Sequence, residues 1–78
     1  MEQIFVESFD INDWIVKFRW IWNGEFQIGY ITIETEIFLN GRPATVDDIK
    51  VIITSARAEV FVELADETRI VRLEITTK

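Results

Sequence analysis

Between residues 14 and 39 the chain alternates side chains with period two on both sides of Asn23-Gly24, and this pattern restricts the fold more than any other feature. Asn-Gly between two runs rich in β-branched and aromatic residues is a strong hairpin signal, because a type I′ turn needs positive φ at both central positions. A two-residue loop pairs residues whose numbers sum to 47, setting Trp22 opposite Glu25, Trp20 opposite Gln27, Phe18 opposite Gly29, Val16 opposite Ile31 and Trp14 opposite Ile33. Side chains two apart share a face. The face bearing Trp14, Val16, Phe18, Trp20 and Trp22 is therefore the candidate core. The other carries Ile15, Lys17, Arg19, Ile21, Phe26, Ile28, Tyr30, Thr32, Glu34 and Glu36, polar at its base and apolar near the turn.

Residues 3–11, with Ile4, Phe5, Val6, Phe9 and Ile11, read as a preceding strand; Asp10-Ile11-Asn12-Asp13 is either a turn or a bulge. After Asn40-Gly41-Arg42-Pro43, Thr45 is a candidate helix cap, with Asp47 and Asp48 in the first turn where the macrodipole favours anions. Ile49, Ile52, Ile53 and Ala56 follow at i, i+3, i+4 and i+7, one apolar helical face. From residue 58 to 64, Val60 and Leu64 would prolong that stripe, but the β-branched and aromatic residues favour a strand. Residues 69–76 alternate as a last strand, Val71, Leu73 and Ile75 against Arg72, Glu74 and Thr76. The expected order is β-β-β-α-β-β, an α+β two-layer sandwich with one helix packed on an antiparallel sheet. With 78 residues and no linker-like stretch, residues 1–78 are expected to form one domain.

Eight Lys and Arg against fourteen Asp and Glu give a net charge of −6, which disfavours a phosphate-backbone binder and suits a basic partner. The absence of His and Cys removes thiol nucleophiles, Ser-His-Asp or Cys-His groupings and the usual soft metal ligands. No enzyme, no cofactor and no metal are expected. Without disulfides, so small a domain needs an efficient core or oligomerisation. No apolar run reaches membrane-spanning length and Met1-Glu2-Gln3 is not a basic leader, so a cytoplasmic, non-membrane protein is expected.

Glu34 and Glu36 share a face at period two and could hold a metal or a proton between them, although a solvated strand face explains them as well. The three glycines match no nucleotide-binding loop. Aromatic and basic residues interleave at Trp14, Lys17, Phe18, Arg19, Trp20 and Trp22, as in a base-stacking surface. Their single apolar face and the net charge of −6 argue instead for core, so no direct nucleic-acid binding is expected. Trp20, Trp22, Phe26 and Ile28 crowd the hairpin end as core or as interface anchors.

Three stretches resemble a family of small, acidic uracil-DNA glycosylase inhibitors, the short dimeric kind encoded by Bacillus phages. They are Phe5-Val6-Glu7-Ser8-Phe9-Asp10-Ile11, Asn40-Gly41 with Thr45-Val46-Asp47-Asp48-Ile49-Lys50-Val51-Ile52, and Glu59-Val60-Phe61. The resemblance implies a homodimer whose paired helices form an apolar groove that captures the side chain the glycosylase wedges into DNA. It assigns the groove to Ile49 and Ile53 and a rim carboxylate to Glu36; the helix itself adds Ile52 beside the groove residues and Asp47 and Asp48 at its start as further partner-binding candidates. Ile stands where the family has groove aromatics, and Lys50 where it has an acidic residue. Independently of the resemblance, a competitor of an enzyme that binds DNA in a basic groove needs negative charge around an apolar recess. The expected function is a phage DNA mimic that inhibits uracil-DNA glycosylase in the host cytoplasm. An acidic decoy against a restriction or CRISPR nuclease and a non-catalytic structural or oligomeric module are the alternatives.

Overall fold

The computed structural model describes residues 1–78. In chain order the elements are β1 (Glu2–Asp10), β2 (Ile15–Trp20), β3 (Phe26–Tyr30), β4 (Glu36–Leu39), β5 (Arg42–Pro43), α1 (Val46–Ile49), a 3₁₀ turn (Ile52–Thr54), β6 (Ala58–Ala65) and β7 (Arg69–Thr77). β1 lies between β2 and β6, both antiparallel to it, and β6 pairs with β7. A parallel bridge between Tyr30 and Arg69 joins β7 to β3, which pairs with β2 and closes a five-stranded barrel. This Greek-key strand order, with the last barrel strand parallel to the third, is that of OB-type barrels. A barrel type does not choose a function.

The expected α+β sandwich is thereby corrected: strand accounts for 55% of the chain, helix for 9%, and the one helix is short. Its start follows the sequence. Thr45 caps it through a capping box, its Oγ1 accepting from the Asp48 N–H and the Asp48 carboxylate accepting from the Thr45 N–H. The continuation fails because Val51, Ile52, Ile53 and Thr54 form a β-branched run that loses side-chain freedom in a helix. The segment makes one α turn and one 3₁₀ turn instead, and each places an isoleucine in the core, Ile49 and then Ile53.

The hairpin expected around Asn23-Gly24 forms as β2–β3, but the two-residue turn expected there occurs at the other Asn-Gly pair. Asn40 and Gly41 both have positive φ, 53° and 82°, and join Leu39 to Arg42 in a two-residue hairpin. At the first pair only Gly24 has positive φ; the Asn23 side chain accepts from the Glu25 N–H at 2.9 Å in an Asx-type turn. The loop therefore spans residues 21–24, closed by Trp20 and Glu25 backbone bonding, and the strands pair Phe18 with Gln27 and Val16 with Gly29. The register differs by two from the expected one, so every side chain keeps its face. The cost falls on the ends: Trp22 lies in the turn and is 69% exposed, and Ile33 lies in the turn between β3 and β4.

Fourteen hydrophobic residues form one core, and no polar or charged residue is buried with them. Phe18 and Val16 from β2 meet Ile70, Leu73 and Ile75 from β7, Ile4 and Val6 from β1, and Val60 and Val62 from β6. Gly29 is the closure point. A Cβ there would sit 2.7 Å from Ile70 Cδ1 and 3.2 Å from Phe18 Cε1, so glycine lets the Ile70 side chain of β7 pack directly onto β3. Below it, the Thr35 hydroxyl donates to the Ile70 carbonyl at 2.6 Å and accepts from the Thr32 N–H, tying the β3–β4 turn to β7.

Candidate functional site

Pairing around the barrel separates two outer faces of opposite character. On β6 the outward residues are Glu59, Phe61 and Glu63, because Val60 and Val62 point into the core. Their neighbours on β7 are Thr76, Glu74 and Arg72, and β4 adds Phe38 opposite Glu74 and Glu36 opposite Arg72. Arg72 is held at the centre. Its Nε lies 2.7 Å from Glu74 Oε2, an Nη lies 3.4 Å from Glu36 Oε1, and the guanidinium stacks 4.4 Å from the Phe38 ring centre. Lys78 approaches Glu59 at 3.8 Å. Glu63 has no ion pair, and carboxylates outnumber cations on this face by four to two. Exposed ion pairs of this kind add little stability, so the face is better understood by its potential than by its bonds.

The second face covers β1, β2 and β3 and adjoins the first along the β1–β6 pairing, where Gln3 lies opposite Phe61. Register sets Phe5, Arg19 and Phe26 in one row, Lys17 beside Ile28 in the next, and Ile15 beside Tyr30 in the third. Phe5, Phe26 and Tyr30 are 59%, 47% and 43% exposed. OB-type barrels bind oligonucleotides on their second and third strands, and exposed aromatics between cations are what such binding uses. Here the charge does not serve it. Arg19 is committed to Glu7 at 3.4 Å and to the Gly24 carbonyl at 3.0 Å, leaving Lys17 as the one cation of the face without an ion pair.

No family model, curated protein or solved structure matches this chain. The site residues are therefore assigned from position and chemistry alone.

The residues singled out by sequence are dispersed. Ile49 and Ile53 are 0% and 1% exposed, so neither offers a surface to a partner, and a groove built on them does not exist on this chain. Ile52 is partly buried against the same core. Asp48 is occupied by the capping box, and Asp47 is exposed beside Lys50 at 3.4 Å. Glu36 belongs to the β4–β7–β6 face, whereas Asp47 and Asp48 belong to the helical segment that plugs the barrel. Glu34 sits in the β3–β4 turn, its N–H donating to Thr32 Oγ1, apart from the Glu36–Arg72 pair. What sequence reasoning missed is the company Glu36 keeps: Glu59, Glu63 and Glu74. Their alternation with Val60, Val62, Leu73 and Ile75 was the available signal, but only the β6–β7 register joins them into one surface. No helix of the chain is long and apolar enough to cross a membrane.

Proposed function

We propose that this protein is a non-catalytic acidic decoy that occupies the DNA-binding surface of a basic partner protein. The observation that carries this is the outer face of β4, β7 and β6, where Glu36, Glu59, Glu63 and Glu74 surround a single central Arg72. No ionisable residue is buried, which suits electrostatic docking. Uracil-DNA glycosylase is the target named by the segment resemblance, and it is proposed on that ground together with the charge. With Ile49 and Ile53 in the core, capture of the enzyme's DNA wedge in a groove between helices has no residues left to perform it, so the carboxylate face carries the interaction.

The test is uracil excision from a labelled single-stranded oligonucleotide by a bacterial uracil-DNA glycosylase, titrated with the wild-type protein and with Glu59→Gln/Glu63→Gln/Glu74→Gln. Loss of activity at a fixed stoichiometry, with a weaker effect of the triple variant, supports the proposal. Inhibition undiminished by the triple variant removes the carboxylate face from it, and full activity at excess wild-type protein rejects this enzyme as the target.

A further inference from the structure

We propose that a second copy of this chain covers the outer face of β1, β2 and β3, forming an isologous dimer with the carboxylate faces directed outward. The face is continuous. Ile21 donates its N–H to the Gln3 carbonyl, which extends the Phe5–Arg19–Phe26 row to the turn and to Met1. Met1, Phe5, Ile21, Phe26 and Tyr30 are between 43% and 59% exposed. At ~200 Å² per large side chain, that exposure amounts to roughly 500 Å² of mostly apolar surface. A patch of this size is at the upper end of what soluble monomers expose and is often functional. It also approaches the ~800 Å² per partner of a standard stable interface, before Gln3, Lys17 and Ile28 are added.

Charge selects the occupant. The face carries Glu7 and Asp10 against Arg19 and Lys17, so it has no net negative charge to attract a basic protein. A nucleic acid would meet one unpaired cation, Lys17, on a chain of net charge −6. A copy of the same face offers matching apolar surface, and isologous pairing brings two acidic chains together on the side where each is least negative. The helical segment cannot supply an alternative dimer seam of any size, since Val51 is its only largely exposed apolar residue. The carboxylate face adjoins this one along the β1–β6 pairing and continues away from it over β7 and β4, so such a dimer presents Glu36 and Glu74 of both copies and is bivalent toward a basic partner.

Sedimentation velocity, run from about 1 to about 100 µM where a dimer of this size dissociates, tests the inference. The wild type is expected to pass from the 9.2 kDa monomer to twice that mass. Phe5→Ser and Phe26→Ser, both at exposed positions, should move the midpoint upward by about tenfold or more each, with unchanged circular dichroism. Glu36→Gln, on β4 and separated from β1 by β7 and β6, should leave it in place. A monomer at every concentration overturns the proposal. So does a dimer that ignores both Phe variants, or an oligo-dT that binds the wild type and loses affinity with Phe26→Ser.

Discussion

Gly29→Ala tests barrel closure at its tightest point. The added methyl would lie 2.7 Å from Ile70 Cδ1, 2.9 Å from Ile70 Cγ1 and 3.2 Å from Phe18 Cε1. Both neighbours are fully buried, so neither can swing into solvent to make room. Overpacking a close-packed core by one methyl costs about 1–3 kcal/mol. For a domain of this length each kcal/mol lowers Tm by about 4–8 °C, so a loss near 2 kcal/mol corresponds to roughly 8–16 °C. Thermal unfolding followed by circular dichroism measures it. Ile70→Val removes the nearest atom and alone costs about 0.5–1.5 kcal/mol. In the double variant the two losses should fall short of their sum by about 1 kcal/mol, since the deleted methyl vacates the space the new one needs. An unchanged Tm for Gly29→Ala, or strictly additive losses, would refute the close β3–β7 approach.

Thr45→Ala removes the capping hydroxyl and should cost about 1 kcal/mol in urea unfolding, with no effect expected if the one-turn helix forms without its cap. Gly41→Ala forces a side chain onto a φ of 82° and should cost on the order of 1–2 kcal/mol, whereas equal stability would show that the β4–β5 turn has another conformation. Ile53→Asp places a carboxylate in the core without a partner. An unpaired buried charge costs several kcal/mol against a total stability of about 5–15 kcal/mol, so the variant should lose its strand signal in circular dichroism. Loss of inhibition by that variant would then report unfolding and say nothing of a contact surface. Glu59→Gln/Glu63→Gln should slow association with the glycosylase at low salt and flatten its salt dependence, measured by stopped-flow fluorescence; an unchanged association rate would exclude steering by this face.

The strands were legible where one side chain in two had to be buried. β1, β6 and β7 follow from Ile4 and Val6, from Val60 and Val62, and from Leu73 and Ile75, whose alternation admits only one face. The hairpin faces were legible too, though not the register: Asn23 spends its side chain on the Glu25 N–H, which widens the loop by two residues and leaves facing unaltered. The helix was overextended because the i, i+3, i+4, i+7 stripe records which isoleucines are buried, and two separate turns bury Ile49 and Ile53 as well as a continuous helix does. Closure was hidden in a single residue. Gly29 breaks an apolar strand face, and a lone glycine in a strand marks a close approach without saying by what; here the side chains of Ile70 and Phe18 occupy the space.

The candidate site was half visible for a related reason. Acidic composition led to the expectation of a basic partner, and Glu36 was singled out, but the carboxylates that join it come from β6 and β7, further along the chain and adjacent only through pairing. Asp47 and Asp48 stood out by sequence because they cluster; the fold uses Asp48 for a cap and leaves Asp47 with Lys50. Conversely, the apolar excess near the hairpin turn is plain in the amino-acid sequence itself. The barrel explains it: the residues facing inward fill a small core, and Phe5, Ile21, Phe26 and Tyr30 are left outside as one surface.

The most direct measurement is the titration of uracil-DNA glycosylase with this protein, read as uracil excision at low and moderate salt. We predict complete inhibition at a fixed stoichiometry, reached more slowly at moderate salt and weakened when Glu59, Glu63 and Glu74 are neutralised together. Undiminished excision at a large excess of the folded wild-type protein would contradict the assignment to this enzyme.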